Sequence, residues 1–126
     1  MRKSEITPEL IELSKRAKEL GFPQDVERGD WVCDVTDDEL YLIETLKEEG
    51  DALILSFSRC LEWLRGKDGI DGISVDEDKL NKRSICEMEF RDVYDGCQTE
   101  AKTHHEAIAK AVVKILEEKN DVTPTT

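Results

Sequence analysis

The spacing of the apolar residues changes along this chain of 126 residues, and this change restricts the fold more than any other feature of the sequence. Apolar residues recur every three or four positions over 7–20 and again between Thr103 and Asn120, whereas they alternate with charged residues over 86–90. The first spacing is typical of an amphipathic helix and the second of a strand with one solvated face. A short chain that carries both patterns predicts an α+β fold.

The length of the chain indicates one domain. A domain of this size buries roughly two thirds of the surface of its unfolded chain, so it can fold without a metal or a disulfide. We therefore expect residues 1–126 to form a single domain, with a disordered tail over about 121–126.

The first helix has recognisable ends. Thr7 is a suitable N-cap, and Pro8 suits the first helical position. Gly21 is well placed to end the helix, and Pro23 then favours an extended exit. The prediction is a helix over about 7–20.

Two interpretations fit the segment that follows. Residues 31–35 and 40–44 are rich in strand-forming types, and the polar link 36–39 has the length of a hairpin loop. The ends of that link also have the spacing of a helix capping box, so a helix within 36–49 stays open. We prefer the hairpin because strand formers dominate both flanks.

The middle of the chain predicts a short buried strand over 52–55 and a helix from the cap Ser56 to about Arg65. Residues 67–82 contain two Asp-Gly steps and few large apolar side chains, so we expect this stretch to be the least ordered. One short helical turn, capped by the Ser74-x-x-Glu77 pattern, is the most regular structure expected there.

The C-terminal third predicts a hairpin followed by a helix. A strand over 86–90 leads to the turn signal Asp95-Gly96 and a return strand over 97–102. Thr103 and Glu106 then have the spacing of a capping box. The resulting order is α-β-β-β-α-β-β-α, with a mostly antiparallel sheet of about four to five short strands and helices on one face.

The charge of the chain limits its partners. The 18 basic and 30 acidic side chains give a net charge of −12. This charge repels nucleic-acid phosphates and anionic membranes, so we expect no direct nucleic-acid binding and no membrane association. No stretch approaches the roughly 18 apolar residues of a membrane span, and the N-terminus lacks the apolar region of a signal peptide. A cytoplasmic protein is the prediction.

Most of the excess charge lies in one segment. Residues 21–55 hold eleven acidic and two basic side chains, a net charge of −9. Such a surface attracts a basic protein partner, although an acidic surface also serves solubility alone. The predicted partner-binding residues are Asp25, Glu27, Asp30, Trp31, Asp34, Asp37, Asp38 and Glu39.

The sequence predicts no catalytic residue, no cofactor and no metal site. His104 and His105 are adjacent, so on a helix they point about 100° apart and cannot share a metal; we expect both to be exposed. The acidic stretch 68–78 does not match the register of a calcium loop, and whether it binds a cation stays open.

The four cysteines do not form a metal or redox motif. They lie at Cys33, Cys60, Cys86 and Cys97, without a C-x-x-C pair. We expect reduced and mostly buried thiols, with Cys97 beside the Asp95-Gly96 turn as the best candidate for an accessible one.

The chain resembles small uncharacterised proteins encoded by bacteriophages and prophages. The residues that carry the resemblance are Gly21-Phe22-Pro23-Gln24, Gly29-Asp30-Trp31, Ser58-Arg59-Cys60-Leu61-Glu62-Trp63-Leu64 and Glu106-Ala107-Ile108-Ala109-Lys110-Ala111. This resemblance implies a phage-derived accessory protein in a bacterial host cell, without an assigned activity.

A second resemblance is confined to 84–118, where a hairpin precedes a Thr-x-x-Glu-Ala helix. This arrangement is similar to HicB-type antitoxins and to double-stranded-RNA-binding-like domains. HicB-type proteins bind a toxin through that domain, which implies a protein partner.

These observations lead to one expected function and two alternatives. The expectation is a non-enzymatic accessory protein that binds another protein through its acidic face, with a homodimer as an open option. The first alternative is an acidic DNA mimic or a toxin-neutralising inhibitor. The second is an enzyme with a carboxylate site that the sequence does not reveal.

Overall fold

The computed structural model describes residues 3–34, 39–43, 51–67, 69–91 and 97–121, with side chains up to 118. These residues belong to two compact units. The first unit contains the chain up to Leu55 together with the residues from Leu116 onward, and the second unit contains Ser56–Ile115. The expectation of one domain over 1–126 stays a prediction, and each unit is described by itself.

The fold is α+β, as predicted. The elements are a short 3-10 helix at Lys3–Glu5, α1 at Pro8–Glu19, β1 at Trp31–Cys33, β2 at Leu40–Leu42, β3 at Ala52–Leu53, α2 at Phe57–Arg65, β4 at Ile70–Asp78, β5 at Arg83–Phe90, β6 at Cys97–Ala101 and α3 at His104–Asp121. The predicted number of strands was wrong. The described residues form six strands in two three-stranded antiparallel sheets, where one sheet of four to five was expected.

The caps that the sequence indicated begin all three helices. The hydroxyl of Thr7 accepts from Leu10 N at 3.1 Å, that of Ser56 from Arg59 N at 3.3 Å, and that of Thr103 from Glu106 N at 3.1 Å. Each bond satisfies one backbone donor that a helix start leaves without a partner. Gly21 ends α1 with a φ of 100°, a left-handed conformation that glycine adopts without steric cost.

The sheet of the first unit has the order β2-β1-β3, and both pairs are antiparallel. Trp31 lies opposite Leu42, and Val32 lies opposite both Tyr41 and Leu53. The predicted hairpin is therefore confirmed where its strands are described, and a helix across 40–42 is excluded. The link residues 36–38 and the stretch 44–49 lie outside the described residues.

Polar side chains bind the outer edge of β3. Ser14, buried on α1, donates its hydroxyl to Leu10 O at 2.8 Å and accepts from Leu55 N at 3.0 Å. Gln24 accepts from Leu53 N at 3.0 Å through Oε1. These bonds satisfy buried amides on the side of β3 that has no neighbouring strand.

Replacing Ser14 should therefore destabilise the protein. Ser14→Ala leaves the buried Leu55 N–H without its acceptor, and we expect the free energy of unfolding to fall by about 1–3 kcal/mol. Ser58→Ala is the matched control, because Ser58 is an exposed serine on α2 and the change in helix propensity is the same. Denaturant unfolding measures both variants. Equal stability of the two would contradict this role of Ser14.

The sheet of the second unit has the order β4-β5-β6. Cys86 lies opposite Val75 on β4 and opposite Thr99 on β6. Thr99, itself buried, donates its hydroxyl to the backbone oxygen of Ala107 on α3 at 2.7 Å. Since Cys60 on α2 lies close to Cys86, α2 and α3 are both on the side of the sheet that Cys86 faces.

The expectation that 67–82 is the least ordered stretch was wrong, because nine of its residues form β4. Asp and Gly are poor strand formers, but pairing with β5 outweighs this local preference. The Asp71-Gly72 step makes an irregularity in the ladder, where one extra residue lies on β4. Since Ser74 and Glu77 both pair with β5 in this ladder, the expected helical turn was also wrong.

Candidate functional site

A tight turn over residues 27–30 directly precedes β1. Asp30 N donates to Glu27 O at 3.0 Å, and the carboxylate of Asp30 accepts from Glu27 N at 2.6 Å. Gly29 between them has a φ of 97°, which few other residues adopt. The carboxylate of Asp30 therefore stabilises the turn, while Glu27 remains exposed at its start.

Two acidic residues lie opposite each other at the far end of the β1–β2 pair. Asp34 N donates to Glu39 O at 2.8 Å, one step beyond the pairing of Cys33 with Leu40. Like charges placed opposite each other on neighbouring strands reduce the stability of a sheet. This placement therefore concentrates negative charge at a local energetic cost.

Leu42 adds an apolar side chain to this region. It lies on the edge strand β2, opposite Trp31, and is 48% exposed. The pairing with Trp31 places Leu42 at the end of the β1–β2 pair next to the turn of Glu27. Because side chains alternate between the two faces of a sheet, Leu42 lies on the opposite face from Asp34 and Glu39. The sequence did not single out Leu42, because the two residues before it, Leu40 and Tyr41, are also apolar. Only the position on an edge strand exposes its side chain.

We define the acidic surface as Asp25, Glu27, Asp34 and Glu39. Asp25, Glu27 and Glu39 are exposed, and Asp34 is half-buried. Of the other predicted partner-binding residues, Trp31 is half-buried on β1 and Asp30 is held in its turn. Asp37 and Asp38 lie outside the described residues.

A polar contact holds β2 near the start of β3. The Tyr41 hydroxyl donates to the carboxylate of Asp51, and Lys18 Nζ donates to Asp51 O at 3.0 Å. Asp51 is buried, so its carboxylate needs such donors. The strand that carries Leu42 is therefore anchored to both β3 and α1.

The sheet of the second unit also has an acidic exposed face. Asp76, Glu87, Glu89 and Glu100 are exposed there, and Arg83 forms an ion pair with Glu100 at 3.1 Å. The described residues of this face include no exposed large apolar side chain. It therefore offers matched acidic positions for control substitutions.

The two histidines differ in their surroundings. His104 is exposed, as expected, and its Nδ1 lies 2.6 Å from the hydroxyl of Ser84. A serine beside a histidine is an arrangement that nucleophilic catalysis uses, but Ser84 is only 4% exposed and its hydroxyl joins β5 to α3. The expectation of exposure was wrong for His105, which is half-buried and packs edge-on against Phe57.

All four cysteines are buried, and none of them forms a disulfide. The expectation that Cys97 is accessible was wrong: it is 7% exposed because it pairs with Met88 on the helix-covered face. Burial, with a smaller contribution from Cys86, raises the pKa of Cys60 to about 12. Burial also raises the pKa of Cys86 to about 11. Thiols of this kind are poor nucleophiles.

Thiol modification should therefore be slow in the folded protein. At pH 8 a pKa of about 12 leaves Cys60 about a thousandfold less thiolate than its ordinary pKa of 9.0 would. We expect Cys60 to be the last of the four to be alkylated by iodoacetamide, and all four to react at similar rates in denaturant. A time course by mass spectrometry measures this order. Early alkylation of Cys60 in the native state would contradict its burial.

Cation binding finds no support among the described residues, where no three His, Cys, Asp or Glu side chains lie together as metal ligands. The acidic stretch that the sequence left open forms strand β4 over Ile70–Asp78.

None of the helices in the described part of the chain is long and apolar enough to cross a membrane.

Comparisons of this chain with protein-family models, with curated proteins and with solved structures found no significant match.

Proposed function

We propose that this protein is a non-enzymatic accessory protein that binds a basic protein partner through the acidic surface. The observation that carries the proposal is the placement of Asp34 and Glu39 opposite each other at the end of the β1–β2 pair. An acidic surface that served solubility alone would not need like charges opposite each other, because these reduce the stability of the sheet.

The chemistry of this surface defines the partner. A partner with a cluster of lysine or arginine side chains would gain attraction from these carboxylates. Charge complementarity of this kind raises the association rate and selects against acidic competitors.

The support beneath this surface favours binding without large rearrangement. Tyr41 and Asp51 hold β2, and Asp30 holds the turn before β1. A surface that is already ordered loses less conformational entropy when a partner docks.

The biological setting is also part of the proposal. The resemblance of the Gly21-Phe22-Pro23-Gln24 and Gly29-Asp30-Trp31 segments to phage and prophage proteins supports a phage-derived role in the cytoplasm of a bacterial host. Two of these residues, Asp30 and Trp31, lie between Glu27 and Asp34 of the acidic surface in the chain.

Charge reversal tests this function. The full chain is immobilised as wild type, as Asp34→Lys/Glu39→Lys and as the control Glu87→Lys/Glu89→Lys, which reverses two exposed residues at similar spacing on β5. Each is exposed to bacterial lysate at about 0.1 M and about 1 M salt, where the Debye length is about 10 Å and about 3 Å. Mass spectrometry identifies what is bound.

We expect basic proteins that the wild type and the control retain at low salt. Asp34→Lys/Glu39→Lys and high salt should each reduce this retention by about tenfold or more. Equal retention by the two charge-reversed variants would show that the acidic surface is not the binding site. Retention that does not change with salt would contradict an electrostatic mode of binding.

A further inference from the structure

The sheet of the second unit has one long open edge. Strand β4 runs over nine residues, Ile70–Asp78, and pairs with β5 on one side. On its other side the described residues provide no neighbouring strand, and none of them bonds to the outward backbone groups of 73–78. An edge of this kind presents a row of N–H and C=O groups to which another extended chain can bind.

The other strand edges in the described part of the chain are short or already bonded. On β6, the backbone oxygen of Glu100 accepts from Lys110 Nζ of α3 at 3.0 Å. On β3, Ser14 and Gln24 accept the outward amides. Strand β2 has three residues. Among these edges, β4 therefore combines the greatest length with open backbone groups.

The conformation of β4 is fixed at both ends. The carboxylate of Asp78 closes the turn to β5, because it accepts from Leu80 N at 3.1 Å and from Asn81 N at 3.3 Å. At the other end, Arg91 Nε donates to Asp71 at 3.1 Å beside the irregular step of the ladder. The six residues between that step and the turn pair regularly and span about 20 Å. An edge that is already ordered loses less conformational entropy when a strand is added.

One face of β4 is apolar and incompletely covered. Ile73 and Val75 lie opposite Met88 and Cys86, so their side chains are on the helix-covered face of the sheet. Met88 and Cys86 are at most 1% exposed, whereas Ile73 and Val75 are half-buried. A further strand beside β4 would cover the remaining apolar surface of these two residues.

The charge along this edge is negative. Strand β4 contains four acidic residues and no basic one. One of the four forms an ion pair with Arg91 and another closes the turn, which leaves Asp76 and Glu77 exposed beside the open edge. The lysines of the hairpin, Lys79 and Lys82, lie in the turn beyond the last pair of the ladder. Two such edges repel each other, whereas a segment with basic side chains is attracted.

We propose that the outer edge of β4 is a strand-addition site for an extended segment of a protein partner, in which apolar and basic residues alternate. The apolar side chains of that segment cover Ile73 and Val75, and the basic side chains on its other face lie beside Asp76. The site belongs to the second unit. It goes beyond the proposed function, because it uses no residue of the acidic surface.

Synthetic peptides test the strand addition on the full-length chain. The probe is a labelled peptide of about seven residues in which valine and lysine alternate. Two further forms carry N-methyl groups on every valine or on every lysine. Because a strand directs the N–H groups of alternate residues to opposite edges, one form loses all paired donors and the other keeps them. Fluorescence anisotropy measures the affinity of each peptide.

The two N-methylated peptides should differ in affinity by about tenfold or more. A peptide of the same composition, with its valines and lysines in two blocks, should bind as weakly as the weaker form. Salt at about 1 M should weaken the alternating peptide without abolishing its binding, since the backbone bonds and the apolar contacts remain.

Charge reversal locates the site. Asp76→Lys/Glu77→Lys should weaken the alternating peptide by about tenfold or more. Asp34→Lys/Glu39→Lys is the matched control, because it changes the net charge equally in the first unit. In this control the difference between the two N-methylated peptides should persist. Circular dichroism verifies that each variant is folded.

Amide hydrogen exchange of the wild type locates the contact without any substitution. The alternating peptide should slow the exchange of alternate amides over 73–78 by about tenfold or more, and it should leave the amides of Trp31–Cys33 unchanged. This pattern is expected only if the peptide lies along β4 as a strand.

Three results would overturn the inference. The first is an alternating peptide that does not bind, or whose two N-methylated forms bind equally. The second is an equal loss of binding in both charge-reversed variants without protection of 73–78, which would assign the peptide to the acidic surface and support the proposed function alone. The third is protection of 73–78 that rises with protein concentration in the absence of peptide, which would show that a second copy occupies the edge.

Discussion

The first unit depends on satisfying the amides of one buried segment. Residues 52–55 are fully buried, and a buried N–H without an acceptor costs free energy comparable to a lost hydrogen bond. Ile54 N donates to Trp31 O on β1, whereas Leu53 N and Leu55 N donate to side chains before the sheet, Gln24 and Ser14. These bonds hold α1, the connection after it and β1 around one segment. The position of the acidic surface follows from them.

Acidic residues in this chain serve two different purposes. Asp30 and Asp78 close turns by accepting backbone N–H groups, and Asp51 accepts the hydroxyl of Tyr41. Glu27 and Glu39 are instead exposed beside them. The composition of the chain counts all acidic residues alike and does not separate these two roles. Only the hydrogen bonds distinguish carboxylates that build the fold from those that face solvent.

Local signals were sufficient for the helices. The caps at Thr7, Ser56 and Thr103 act within three residues, so their presence in the sequence predicts each helix start directly. The hairpin of β1 and β2 was also predictable, because strand formers surround a short polar link. Strand β4 was not predicted, since its stability comes from pairing with β5, and that partner lies beyond the turn at Asp78.

The sequence by itself determined the α+β class, the helix starts and the concentration of negative charge over 21–55, because each depends on composition or on contacts between near neighbours. The tertiary structure decided which side chains are buried. Cys97 is buried because it pairs with Met88 on the helix-covered face. Ser14 stabilises the interior because its hydroxyl accepts from Leu55 N. It also left Leu42 and Leu80 exposed, since one lies on an edge strand and the other at the tip of a turn. Burial is set by elements distant in sequence, and local patterns do not contain that information.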